Sequence, residues 1–191
     1  MKKNFVLAAA LALSVMAISA SAQTAPTDFS GKWALDLAKS KLTDREKASI
    51  ESQTLTVTQT ATDIKIETAT KRLAPPAGAP AGGPPGGGGG GRMGGGGGMG
   101  GDMPATYALG KETTTEQQMG QNTVPVTLGS KWDGSKLILT RSSTFNGPMG
   151  EVKNSNKETW ELAADGNTLT INSERTSPRG TDSTTRVFTK N

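Results

Sequence analysis

Val124-Pro125-Val126-Thr127-Leu128-Gly129-Ser130-Lys131-Trp132-Asp133-Gly134-Ser135-Lys136-Leu137-Ile138-Leu139 is the stretch that decides the fold. Val124, Val126 and Leu128 recur at every second position and lead to Trp132, which is the period of a strand with one buried face. Asp133-Gly134 then supplies the residue types that tolerate the positive φ angles of a tight hairpin turn, and Leu137, Ile138 and Leu139 open the returning strand. Strands joined this closely are antiparallel.

Working outward, the same pattern recurs on both sides. Upstream, Leu55 and Val57 alternate, as do Ile64 and Ile66, and Thr60-Ala61-Thr62-Asp63 joins the two runs as a hairpin. Further back, Phe29, Gly31, Trp33, Leu35 and Leu37 share one parity and read as one half-buried strand. Between Lys39 and Ser49 the alternation is lost. Thr43 before Asp44-Arg45-Glu46-Lys47 has the form of a helix start, with acids at the positive end of the helix dipole, so a short helix or turn, a lid over one barrel end, is expected. Downstream, Asn146-Gly147-Pro148, Asp165-Gly166 and Pro178-Arg179-Gly180 turn the chain between Glu151–Leu162, a strand around Leu169 and Ile171, and a last strand from Thr184 to Lys190. Ala105 to Lys111 reads as a weak strand around Tyr107 and Leu109, and Glu112 to Gln121 as a polar stretch.

The expectation is an all-β, antiparallel, up-and-down β-barrel of about 8–10 strands. No helix is long enough to cross between parallel strands, and closing the meander removes both edges. A two-sheet sandwich is the alternative. The inward row Leu35, Leu55, Val57, Ile64, Ile66, Val126, Leu139, Leu169 and Ile171 fits either a solid core or a cavity wall.

Composition limits the chemistry. Hydrophobic residues make up 33% and aromatic residues 4%, while threonine occurs 26 times, which favours β structure with a modest core. The chain has no His and no Cys. Ser-His-Asp and Cys-His catalysis, His or Cys metal sites, haem, iron–sulfur clusters and disulfides are thereby excluded. Glu158 and Glu161 fall on opposite faces of a strand, so they form no carboxylate pair of the kind glycosidases use. Asp133 and Asp165 are turn residues. No catalytic residue, cofactor or metal is expected.

Lys2 and Lys3, the apolar run Phe5 to Ile18 and Ala20-Ser21-Ala22 have the layout of a secretory signal peptide over residues 1–22. The apolar run falls short of the about 18 residues that a spanning helix needs, and no later segment is apolar enough to cross a membrane. The expected location is periplasmic or secreted. Removing the leader takes away two lysines and no acid, so the formal charge falls from +4 to +2, too balanced and dispersed for a nucleic-acid partner.

Residues 75–104 form a glycine- and proline-rich tract, with 15 glycines between Gly82 and Gly101. Such a tract cannot bury enough apolar surface to offset ordering entropy, and a G-x-G-x-x-G match inside it follows no strand into a helix. It is expected as a disordered loop inserted into one domain spanning residues 23–191. Met93, Met99 and Met103 within it are not taken as a copper site.

Phe29-Ser30-Gly31-Lys32-Trp33 resembles the opening strand of the calycins, the superfamily of lipocalins and fatty-acid-binding proteins, and Thr185-Arg186-Val187-Phe188-Thr189-Lys190 is similar to their last strand. The Asp133-Gly134 and Asp165-Gly166 turns also resemble theirs. The resemblance implies that Arg186 packs over Trp33 and closes one barrel end. In fatty-acid-binding proteins this arginine and a tyrosine two residues later hold a carboxylate, but here Phe188 stands at the tyrosine position. Their second arginine would fall near Trp160 or Glu161, and Arg141 is expected one strand too early to replace it. The functional expectation is non-catalytic binding of a small apolar or amphipathic ligand in the barrel, with Trp33, Trp132, Trp160, Arg186 and Phe188 as candidate ligand-binding residues. The alternative is a structural or interaction module of the cell envelope with a filled barrel.

Overall fold

The computed structural model describes residues 26–74, 104–119, 122–147 and 150–191. The leader expected at 1–22 and all of the 75–104 tract but Pro104 lie outside them, Met93, Met99 and Met103 included. Ten strands follow in sequence: β1 (Gly31–Leu35), β2 (Ile50–Gln59), β3 (Asp63–Arg72), β4 (Ala105–Ala108), β5 (Glu112–Met119), β6 (Asn122–Asp133), β7 (Lys136–Gly147), β8 (Gly150–Leu162), β9 (Thr168–Ser177) and β10 (Gly180–Lys190). A four-residue helix, α1 (Asp44–Lys47), lies between β1 and β2. The order across the sheet is β4-β3-β2-β1-β10-β9-β8-β7-β6-β5, and each pair is antiparallel. This is the expected all-β, antiparallel, up-and-down barrel, with ten strands.

The barrel is nearly closed. Its seam lies between β4 and the β5–β6 pair, where Ser130 Oγ donates to the Ala108 carbonyl at 2.8 Å and accepts from the Gly110 N–H at 2.9 Å. The Ser130 N–H also donates to the Lys111 carbonyl at 3.1 Å. One small hydroxyl residue thus satisfies backbone groups that the short β4 would otherwise leave unpaired at a buried edge.

One end is plugged. The lead-in before β1 crosses it, with Thr27 Oγ1 donating to the Ser135 carbonyl at 2.8 Å and the Phe29 N–H to Gln59 Oε1 at 3.1 Å. Phe29 is fully buried, stacked on Trp132 with centroids 6.1 Å apart and edge-on to Trp160 at 5.8 Å. The sequence places Phe29 to Leu37 in one strand, but β1 is shorter at both ends. Phe29 leaves the sheet to become the plug. Beyond Leu35, Asp36 Oδ1 accepts from the Ala38 and Lys39 N–H groups, each at 3.1 Å, which turns the chain and leaves Leu37 exposed.

Glu112 to Gln121 is a second correction. Most of it is strand β5, paired with β6 from Glu112↔Gly129 to Met119↔Asn122. Its side chains from Glu112 to Gln118 are exposed apart from a half-buried Gln117, so no apolar alternation marks it. Backbone pairing and a few polar side-chain contacts, such as Thr114 Oγ1 with Thr127 Oγ1 at 3.2 Å, hold it in the sheet.

Candidate functional site

The registers of β7 to β10 give the interior row by row. At the plugged end Leu162, Leu169, Phe188 and Leu35 lie side by side across β8, β9, β10 and β1. The next row, two residues further along each strand, is Trp132, Leu137, Trp160, Ile171 and Arg186. Then come Leu139, Glu158, Ser173 and Thr184, and finally Arg141, Asn156, Arg175 and Asp182. Because inward residues recur with period two, the polarity of the barrel is written along each strand: apolar at the plugged end, charged at the mouth.

The apolar rows fill their half with side chains, and the polar rows surround a cavity of about 490 Å³. Its floor is Leu55, Ile66, Trp160, Ile171 and Phe188, and its wall carries Tyr107, Arg141, Glu158 and Ser173. Thr43, Arg45 and Glu46 of the α1 region stand at its mouth. The helix is held by a capping box, in which Thr43 Oγ1 accepts from the Glu46 N–H at 3.3 Å and Glu46 Oε2 from the Thr43 N–H at 3.0 Å. The other oxygen of the same carboxylate, Oε1, accepts from Arg186 Nη2.

Of the five candidate residues, the structure brings Trp160, Arg186 and Phe188 to one cavity. Trp33 and Trp132 are not on its wall. Trp33 is fully buried beside the plug, its Nε1–H donating to the Phe29 carbonyl at 3.0 Å. The cation over its ring is Lys190, with Nζ 5.2 Å from the centroid, where the sequence resemblance implies Arg186. The reason is position: Lys190 lies opposite Trp33 in the register of β1 and β10, whereas Arg186, four residues earlier, pairs with Ile171 and reaches α1. Gly31 belongs to the same arrangement. Its φ of +141° calls for glycine, and the Lys190 Cε lies 3.0 Å from where a Cβ would stand.

Arg141 is the residue that the sequence reading set aside and the structure restores. It is 6% exposed and lines the cavity, and its Nη2 donates to Gln117 Oε1. Its Nε, like that of Arg186, is buried without a hydrogen-bond partner. Strand order does place it one strand earlier than the fatty-acid-binding pattern, but it shares parity with Leu137 and Leu139, and parity puts it inside. Glu158 faces the same space, accepting from Trp160 Nε1 and Asn156 Nδ2, each at 2.9 Å.

Tyr107, the chain's single tyrosine, is buried beside this group. Burial pushes its phenol above the ordinary tyrosine range, and the Glu158 charge adds to the effect while Arg141 opposes it. An ultraviolet titration of the folded protein is therefore expected to show no phenolate signal through the usual range near 10. The unfolded chain ionises there, so this contribution to stability is intact below that range and is lost as the pH climbs above it. Phenolate appearing near pH 10 without unfolding would contradict the buried placement.

Six arginines line the cavity, Arg45, Arg72, Arg141, Arg175, Arg179 and Arg186, against three carboxylates, Glu46, Glu158 and Asp182. No lysine among the described residues lines it, although the chain has twice as many lysines as arginines. Among the described residues no cluster of acidic side chains is suited to a metal ion, and no helix is long and apolar enough to cross a membrane.

No protein-family model and no curated protein matches the chain. Among solved structures, zebrafish ileal bile acid-binding protein complexed with cholic acid is similar over 85% of this chain and 98% of its own, with 14% identity and a TM-score of 0.45. Secretory abundant heat soluble protein 4 from Ramazzottius varieornatus is similar over 85% and 94%, with 14% identity and a TM-score of 0.43.

Proposed function

We propose that the barrel is a non-catalytic binding protein for a small amphipathic anion, its apolar part on the Trp160–Ile171–Phe188 floor and its acidic head among the arginines above. The observation that carries this reading is Arg141, a buried arginine that lines the hollow as one of six arginines against three carboxylates. A guanidinium withdrawn from water with a neutral amide, Gln117, as its acceptor keeps an uncompensated charge, and a bound anion compensates it. The rows of the sheet give the orientation, tail inward and head at the mouth. A filled barrel serving only as an envelope module is disfavoured by the volume and polarity of this hollow.

The leader-like residues 1–22 support export to the periplasm or beyond, with residues 23–191 forming one domain around the inserted tract. The test is calorimetric titration with octanoate and with octanol. Saturable one-to-one binding of octanoate and much weaker binding of octanol are expected. Equal binding of the two, or no saturable binding of octanoate, would refute the reading.

A further inference from the structure

Resting on that reading, we propose that the mouth of the cavity is a subsite for a second negative charge, built from Arg72, Arg175 and Arg179, so that the natural ligand carries a dianionic head of the phosphate-monoester class. The guanidinium groups of these three make no ion pair or side-chain hydrogen bond among the described residues. They stand at the ends of β3 and β9 and in the β9–β10 turn, all on the cavity wall. Arg175 lies in the same cross-strand row as Arg141, with Asn156 between them, so the mouth continues the inner site.

Charge balance decides between one negative charge and two. Six arginines against three carboxylates leave the lining with a formal excess of three positive charges. Of the acids, Glu46 is engaged by Arg186 and by its own helix cap, and Glu158 by Trp160 and Asn156. Asp182 is the cross-strand neighbour of Arg175 but forms no ion pair with it. Arginine cannot shed its proton to relieve the excess, whereas a lysine could. A single carboxylate leaves most of that charge uncompensated around a mouth where Arg72 and Arg175 are half-buried and Arg179 is exposed. A tetrahedral dianion offers several oxygens to the paired N–H edges of guanidinium groups, the geometry for which arginine is better suited than lysine.

The experiment compares octyl phosphate with octyl sulfate at about pH 8, above the second phosphate pKa of about 6. The two probes share the chain and the tetrahedral head and differ in one charge. Octyl phosphate is expected to bind about tenfold more tightly, and the Arg175→Gln/Arg179→Gln double variant, checked by its thermal melt, to erase most of that margin. Lys157→Gln, a charge removed from the outer face of β8, serves as the control and should keep the margin. Equal affinity for the two probes, or a margin unchanged in the double variant, overturns the dianion inference and leaves the amphipathic-anion reading standing. Failure of both probes to bind overturns the two together.

Discussion

Phe29→Ala is expected to lower stability by about 3–5 kcal/mol, the range for removing a buried phenyl ring and leaving a cavity. Phe29 is fully buried, with one ring face on Trp132 and its edge against Trp160, and each such aromatic contact adds about 0.5–1.5 kcal/mol beyond the area it buries. Its backbone bonds, N–H to Gln59 and carbonyl from Trp33, survive the substitution, so the loss isolates the ring. Against a total of about 5–15 kcal/mol for a domain, this is a large share. Denaturant unfolding followed by tryptophan fluorescence measures it, because Trp132 and Trp160 both lose a neighbour. A change below about 1 kcal/mol would mean that the end is closed by something other than the plug.

The architecture was legible because it depends on period and turn chemistry, both local. Val124 to Leu139 shows a strand, an Asp-Gly turn and a strand without reference to the rest of the chain, and Gly134 and Gly166 do adopt the positive φ that those turns require, +60° and +68°. Strand β5 was not legible because a strand wet on both faces carries no apolar period. The site was half legible. Arg186 and Phe188 came from the resemblance of the last strand and Trp160 from being one of three tryptophans, but the same reading also took Trp33 and Trp132, which belong to the plugged end. Arg72 and Arg175 were missed and Arg141 was set aside, although parity marked all three: Arg72 continues Ile64 and Ile66, Arg141 continues Leu137 and Leu139, and Arg175 continues Leu169 and Ile171. Following only the apolar members of each row stops the reading where the row turns polar. In this barrel the cavity begins at that point.

Arg141→Met is expected to separate function from stability by moving them in opposite directions. The arginine is almost wholly buried, its Nε has no partner, and an unsatisfied buried polar group costs about 1–3 kcal/mol. Methionine keeps much of the apolar stem and removes the charge, so the ligand-free variant should match the parent or exceed it by about 1 kcal/mol in a denaturant melt. Gln117 is half-buried and can turn to water when it loses its bond. Binding should change far more. Removing one side of a buried charge-assisted contact costs about 2 kcal/mol or more, so affinity for octanoate should fall about 30-fold or further. Arg141→Lys restores the charge without the two-pronged N–H edge and should recover only part of the loss. If Arg141 instead served to hold the barrel together, the methionine variant would melt early, and lost binding would follow from lost structure. A residue whose removal leaves the fold intact and abolishes anion uptake is retained for the ligand.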